Sequence, residues 1–144
     1  MRPVPLLLGG LVAGLIVLTG EVILNLAVLQ DEMTALVQRF ALPRPTLPVL
    51  AQAVLRLLLV GVLAVWMALT FDRVFRDPPR SAIVSGLCIW LLAWAWVQWA
   101  LLNTGFVTAT LAATTAAWGL VEVPLAAWAG TWTYARVNGS PDWR

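Results

Sequence analysis

The sequence predicts an all-α integral membrane protein, a four-helix bundle with antiparallel up-down helices and a short interfacial helix between the first and second spans. Composition is the first observation behind this. Of 144 residues, 61% are hydrophobic and 11% charged, against roughly 45–50% and about 25% in a soluble domain. A water-soluble chain this short has too little interior to hide that much apolar surface. The second observation is length. Four apolar runs, 4–29, 48–71, 82–102 and 107–133, each meet the need for about 20 residues to cross a hydrocarbon core of roughly 30 Å. The third is pattern: the runs are continuous, without the period-2 alternation of a membrane strand, so helices satisfy their backbone. The whole chain, 1–144, reads as a single transmembrane domain.

The first run follows Arg2 as a secretory signal would, but it is too long and has no A-x-A site after it, so a retained helix is expected. After it, Asp31 is placed to cap a short helix. There Met33, Leu36, Val37 and Phe40 recur at i, i+3, i+4, i+7, one apolar face suited to lying flat in the interface. Pro43, Pro45 and Pro48 stiffen the turn into the second run, and Pro48 fits a first helical turn. This segment reads as a flap closing one end of the bundle, with a lid or docking element as the functional alternative. The later loops are short, as neighbouring helices in a bundle require.

Arginines set the expected orientation. Arg2, Arg73, Arg76, Arg80, Arg136 and Arg144 fall on one side, Arg39 and Arg44 on the other, which puts both termini and the middle loop in the cytoplasm. The loop of mixed charge at 72–80 anchors that topology and meets lipid headgroups. With no basic domain outside the membrane, no nucleic-acid partner is expected.

Much chemistry is excluded. There is no histidine, which rules out imidazole-ligated haem, chlorophyll and zinc, and histidine-based triads. Cys88 is the one cysteine and lies within a span, so neither an internal disulfide nor a thiolate cluster forms. No catalytic residue, metal site or cofactor is expected.

Ionisable groups in hydrocarbon mark function or internal pairing, and the spans hold Glu21, Arg56 and Glu122. At 100° per residue, Gly10, Gly14, Glu21 and Asn25 share a stripe about 60° wide, where Gly10 and Gly14 form a GxxxG pair. The last span gathers Thr108, Thr115, Glu122, Ala126, Ala129 and Thr133 on one face; the second presents Gln52 with Arg56, and the third Gln98. The polar interior is therefore expected to hold Asn25, Gln52, Gln98 and Thr115. Counted from the helix ends, Glu21 and Arg56 both lie about 12 Å below the outer surface at 1.5 Å per residue. This predicts a buried Glu21–Arg56 ion pair that fixes helix register. Glu122, roughly 10 Å deeper, is left without a counter-charge. Desolvation favours its neutral acid, and Pro124 is placed to kink the helix beside it, which makes Glu122 the candidate proton site.

Of nine tryptophans, Trp66, Trp128 and Trp132 fall near the cytoplasmic interface and Trp99 near the outer one, as in an aromatic belt. Trp90, Trp94 and Trp118 are deeper, and are the candidate face for an apolar ligand or a partner subunit.

Two resemblances follow from these residues. The chain resembles an uncharacterised group of small four-helix bacterial inner-membrane proteins. Their first helix reads G-E-x-x-x-N, here Gly20-Glu21-Val22-Ile23-Leu24-Asn25, and their last W-G-x-x-E-x-P, here Trp118-Gly119-Leu120-Val121-Glu122-Val123-Pro124. The likeness covers most of the chain and implies location in that membrane but no activity. Gly9-Gly10 and Glu21-Val22 are also similar to the first helix of the small multidrug resistance transporters, whose proton carrier is a membrane-embedded Glu. Arg56, Glu122 and the amphipathic outer segment depart from that pattern. The functional expectation is an accessory or structural subunit packing against other membrane proteins or copies of itself; the alternative is a proton-coupled transporter of small hydrophobic or cationic molecules using Glu21 or Glu122. An intramembrane enzyme ranks last, for want of a nucleophile–base set.

Overall fold

The computed structural model describes residues 2–139; Arg144, counted above for orientation, lies outside them. The chain is all-α, and four helices are long and apolar enough to cross a membrane: Pro3–Val28, Leu47–Phe75, Pro78–Asn103 and Ala109–Asn138. The first consists of α1, Pro3–Ile23, continued by a π-helical turn, Leu24–Val28. A short helix α2, Gln30–Arg39, leads to α3, Leu47–Phe75. The third long helix is α4, Pro78–Trp90, joined through a second π-helical turn, Leu91–Ala95, to α5, Trp96–Asn103. Helix α6, Ala109–Asn138, ends the described chain.

Helix ends follow hydrogen bonding rather than hydropathy. Asp72 and Arg73 end the second apolar run, but neither breaks a helix, and α3 continues to Phe75 before Arg76 turns left-handed at φ 52°. Asp77 then caps α4 by accepting from the Arg80 amide at 3.2 Å, with two prolines in the first turn where no amide donor is needed. Helix α2 starts one residue before Asp31, which lies in the first turn with Glu32 instead of capping; Arg39 closes the last turn, so the charges complement the helix dipole.

Helix α1 packs on α3 and α6, and α4 packs on the same two, which closes a four-membered ring with α3 and α6 also in contact across it. Small residues make the seams. A Cβ on Gly10 would stand 2.6 Å from the Val62 Cα, one on Gly14 2.7 Å from the Leu58 Cα, and one on Gly61 would run into the backbone of Gly10 and Gly14. Gly9 and Gly130 meet each other's carbonyls in the same way at the α1–α6 seam. Such close approach maximises dispersion where lipid removes the hydrophobic drive between helices. Ala13, Val17, Val65, Val123 and Ala127 fill the centre, and the Ser85 hydroxyl donates to the Ala64 carbonyl across the α3–α4 seam at 2.7 Å.

Near the α5–α6 loop, Met33 and Leu36 of α2 pack on a second cluster of Leu24, Leu29, Val107 and Leu111. Phe40 stacks on Phe106 at 4.7 Å, and the Thr108 hydroxyl donates to Glu32 at 2.9 Å while accepting from the Leu111 amide. Outside, Leu7, Leu55, Leu59, Leu92, Trp99 and Val121 are all exposed, the surface a lipid solvent requires.

Candidate functional site

Glu21, Trp94 and Glu122 come together from three of the long helices. Glu21 stands one turn before the first π-helical turn, Trp94 lies within the second, and Glu122 sits two residues before Pro124 in α6. A π-helical turn widens the helix and re-aims its side chains, and such turns occur frequently at functional sites. Here the second brings the Trp94 indole N–H to Glu21, donating to Oε1 at 2.7 Å. The Asn25 side-chain amide donates to Oε2 at 3.2 Å and to the Glu21 backbone carbonyl at 2.7 Å. Two neutral donors thus satisfy the Glu21 carboxyl.

The expected Glu21–Arg56 ion pair does not form. Arg56 is exposed on the outer face of α3 with Gln52, where it lines a groove of about 730 Å³ together with Val49, Ala53, Leu59 and Leu63. Rotation about the helix axis is the reason. Gly61, the residue of α3 that meets α1, is five positions beyond Arg56, which at 100° per residue directs the two about 140° apart. Register differs as well: Gly14 lies opposite Leu58, so Arg56 is level with Ile16, roughly 7 Å from Glu21 along the helix. Gln52 consequently leaves the polar interior as well.

Trp90 and Trp94, expected to face an apolar ligand or a partner subunit, pack on α6 inside the bundle instead. A Cβ on Gly119 of α6 would touch the Trp94 ring at 2.9 Å and the Trp90 ring at 3.2 Å, and the Trp90 indole N–H donates to the Ala116 carbonyl at 2.7 Å. Thr115 is buried. Gln98 is half-buried, its Oε1 shielded from solvent without a hydrogen-bond donor. Trp66, Trp99, Trp128 and Trp132 are exposed on the outer surface.

Glu122 is 9% exposed, and neither of its carboxyl oxygens has a hydrogen-bond partner. The carboxyl rests on Gly20, at which any Cβ would collide with Oε1. The Trp118 indole, one turn earlier on α6, and the Glu21 carboxyl are its polar neighbours. Glu122 and Trp118 line a groove of about 1020 Å³ between α1 and α6, walled mainly by Val12, Leu15, Ile16, Ile23, Val121 and Leu125. No group of three or more potential metal-ligating side chains occurs among the described residues.

Sequence reasoning missed Trp94 as the donor to Glu21 and Gly20 and Gly119 as contact points. Gly20 and Gly119 were in view as members of the two quoted motifs, G-E-x-x-x-N and W-G-x-x-E-x-P. The two motifs meet in space, Gly20 against Glu122, with Trp94 touching both Glu21 and Gly119. Among known proteins, no family, curated protein or solved structure matches this chain.

Proposed function

We propose that this chain is an accessory subunit of a larger membrane assembly, docked through the outer face of α3 against a partner helix that carries an acidic residue. The observation that carries the reading is Arg56. A guanidinium within a membrane span, facing outward beside Gln52 with no carboxylate among the described residues lining its groove, costs up to about 2.5–3.5 kcal/mol in lipid. An acidic group on a neighbouring span removes that cost and adds paired hydrogen bonds. A two-fold contact of this face with a second copy would set Arg56 near Arg56, so a different protein fits better than a homo-oligomer.

The same reading takes the bundle as one domain with antiparallel up-down helices in a bacterial inner membrane. The termini and the 72–80 loop are cytoplasmic, and α2 lies in the outer interface. Opposite running order of contacts supports the first point: Gly10 meets Val62 while Gly14 meets Leu58, and Gly9 meets Tyr134 while Gly20 meets Glu122. The arginine distribution supports the second, and the resemblance to small bacterial inner-membrane proteins the membrane itself. Purification from native membranes in gentle detergent, followed by mass spectrometry, tests the docking. A stoichiometric partner with Asp or Glu in a span is the expected result. A chain that emerges alone or only with itself removes the reading.

One observation favours a second reading, a proton-coupled transporter of small hydrophobic or cationic molecules. Glu122 has no cationic partner among the described residues and lines an apolar groove, where a lipophilic cation would exchange with its proton once the side chain turns outward. Proton release on adding such a cation to the purified chain, lost in Glu122→Gln, is its signature.

A further inference from the structure

We propose that the end of the bundle carrying Arg2, Arg73, Arg76, Arg80 and Arg136 is a clamp for an anionic phospholipid, gripped at its phosphate. The site requires only that the four long helices lie in a bilayer, and it holds under either reading of function. Helix register brings the arginines to one end. Gly9 of α1 packs on Tyr134 of α6, and Gly10 packs on Val62 of α3. Arg2, seven residues before Gly9, is therefore level with the last turns of both helices, where Arg136 and Arg73 stand. Arg76 and Arg80 flank the turn from α3 into α4. All are exposed, and none of these guanidiniums has an ion-pair or hydrogen-bond partner among the described residues. The carboxylates at that end, among the described residues, are Asp72, which is half-buried, and Asp77, whose Oδ1 accepts from the Arg80 amide at 3.2 Å. The opposite end is balanced, with Asp31 and Glu32 against Arg39 and Arg44.

Two of the guanidiniums are already oriented for a phosphate. Arg80 lies over the Phe75 ring at 5.0 Å and Arg136 over the Trp132 ring at 4.8 Å. A guanidinium stacked through its face keeps its N–H edge free, and that edge matches two phosphate oxygens. The rings are 36% and 39% exposed, at helix ends where aromatic side chains sit among lipid headgroups. That depth favours a phosphate belonging to a lipid over one arriving from solution. Arg76 points the same way. It ends α3 in the left-handed conformation at φ 52°, a position that ordinarily takes glycine. The chain thus holds a cation outward where a residue without a side chain would be less strained. Clusters of arginine directly beyond membrane spans attract anionic headgroups, and zwitterionic lipids offer them no net charge.

The test is titration of the full-length chain, in neutral detergent, with dioleoylphosphatidylglycerol and separately with dioleoylphosphatidylcholine. Native mass spectrometry counts the lipid retained. Saturable retention of phosphatidylglycerol is expected, preferred over phosphatidylcholine by about tenfold or more. The preference should largely disappear in Arg80→Gln/Arg136→Gln and persist in Arg39→Gln/Arg44→Gln at the other end. Arg76→Gly should weaken it while keeping or raising the thermal midpoint, because glycine adopts the left-handed turn freely; a loss of lipid there is not a loss of fold. Equal retention of the two lipids would overturn the proposal, as would an unaltered preference in folded Arg80→Gln/Arg136→Gln. An equal loss in Arg39→Gln/Arg44→Gln would reduce the effect to net charge and remove the clamp. Displacement of phosphatidylglycerol by an equal concentration of glycerol 1-phosphate would also overturn it, by assigning these arginines to soluble phosphates.

Discussion

Replacing Gly61 by leucine is expected to open the seam between α1 and α3 and to destabilise the bundle by about 3 kcal/mol or more. The reasoning starts from backbone distance. A Cβ on Gly61 runs into the Gly14 amide nitrogen and the Gly10 carbonyl oxygen, which are fixed parts of a helix and not the ends of flexible side chains. The helices must therefore separate, and the contacts of Gly10 on Val62 and of Gly14 on Leu58 separate with them. In lipid no hydrophobic force draws the helices back, because the tails solvate the exposed faces equally well. Thermal unfolding in mild detergent, read by circular dichroism, measures the effect. Leu59→Ala on the exposed side of the same helix is the control and should shift the midpoint little. Equal midpoints for Gly61→Leu and the natural chain would mean that α1 and α3 do not pack through these glycines.

Arg56→Leu separates folding from assembly. The isolated chain should keep its thermal midpoint, within about 0.5 kcal/mol for a surface substitution, because Arg56 is exposed and has no hydrogen-bond or ion-pair partner among the described residues. Its complex with the partner should weaken by about 2–5 kcal/mol, the cost of leaving the other half of a buried charge pair unmatched. Unfolding and co-purification of the same variant measure the two effects. Loss of stability in the isolated chain would revive an internal role for Arg56, and an undisturbed complex would place the docking elsewhere.

How far the sequence reveals this structure depends on whether a property is local to the chain. Hydrophobic length is local, so the four spans are legible. Their ends shift by a few residues because Asp72, Arg73, Arg136 and Asn138 are polar yet remain helical. Residue types that need a neighbour are legible too: Glu21, Asn25 and Glu122 stand out because lipid offers them nothing. Which neighbour each finds is decided by azimuth, and two π-helical turns alter it. Nothing in Leu24–Val28 or Leu91–Ala95 marks such a turn, so Trp94 could not be assigned to Glu21. Arg56 is a different case. Its direction follows from Gly61 being the contact on α3, and depth counted from the ends of the apolar runs misplaces it by about a helical turn against α1.

Position-specific photo-crosslinking in native membranes tests the central claim, that the outer face of α3 seats a partner, most directly. A benzophenone amino acid is placed at Leu59, beside Arg56 in the groove on α3, and separately at Leu92, which is also exposed but lies on the third long helix. One defined protein adduct is expected from Leu59, mapped to a span that carries Asp or Glu, and only lipid adducts from Leu92. Lipid adducts alone from both positions, or an adduct from Leu59 only to a second copy of this chain, would contradict it.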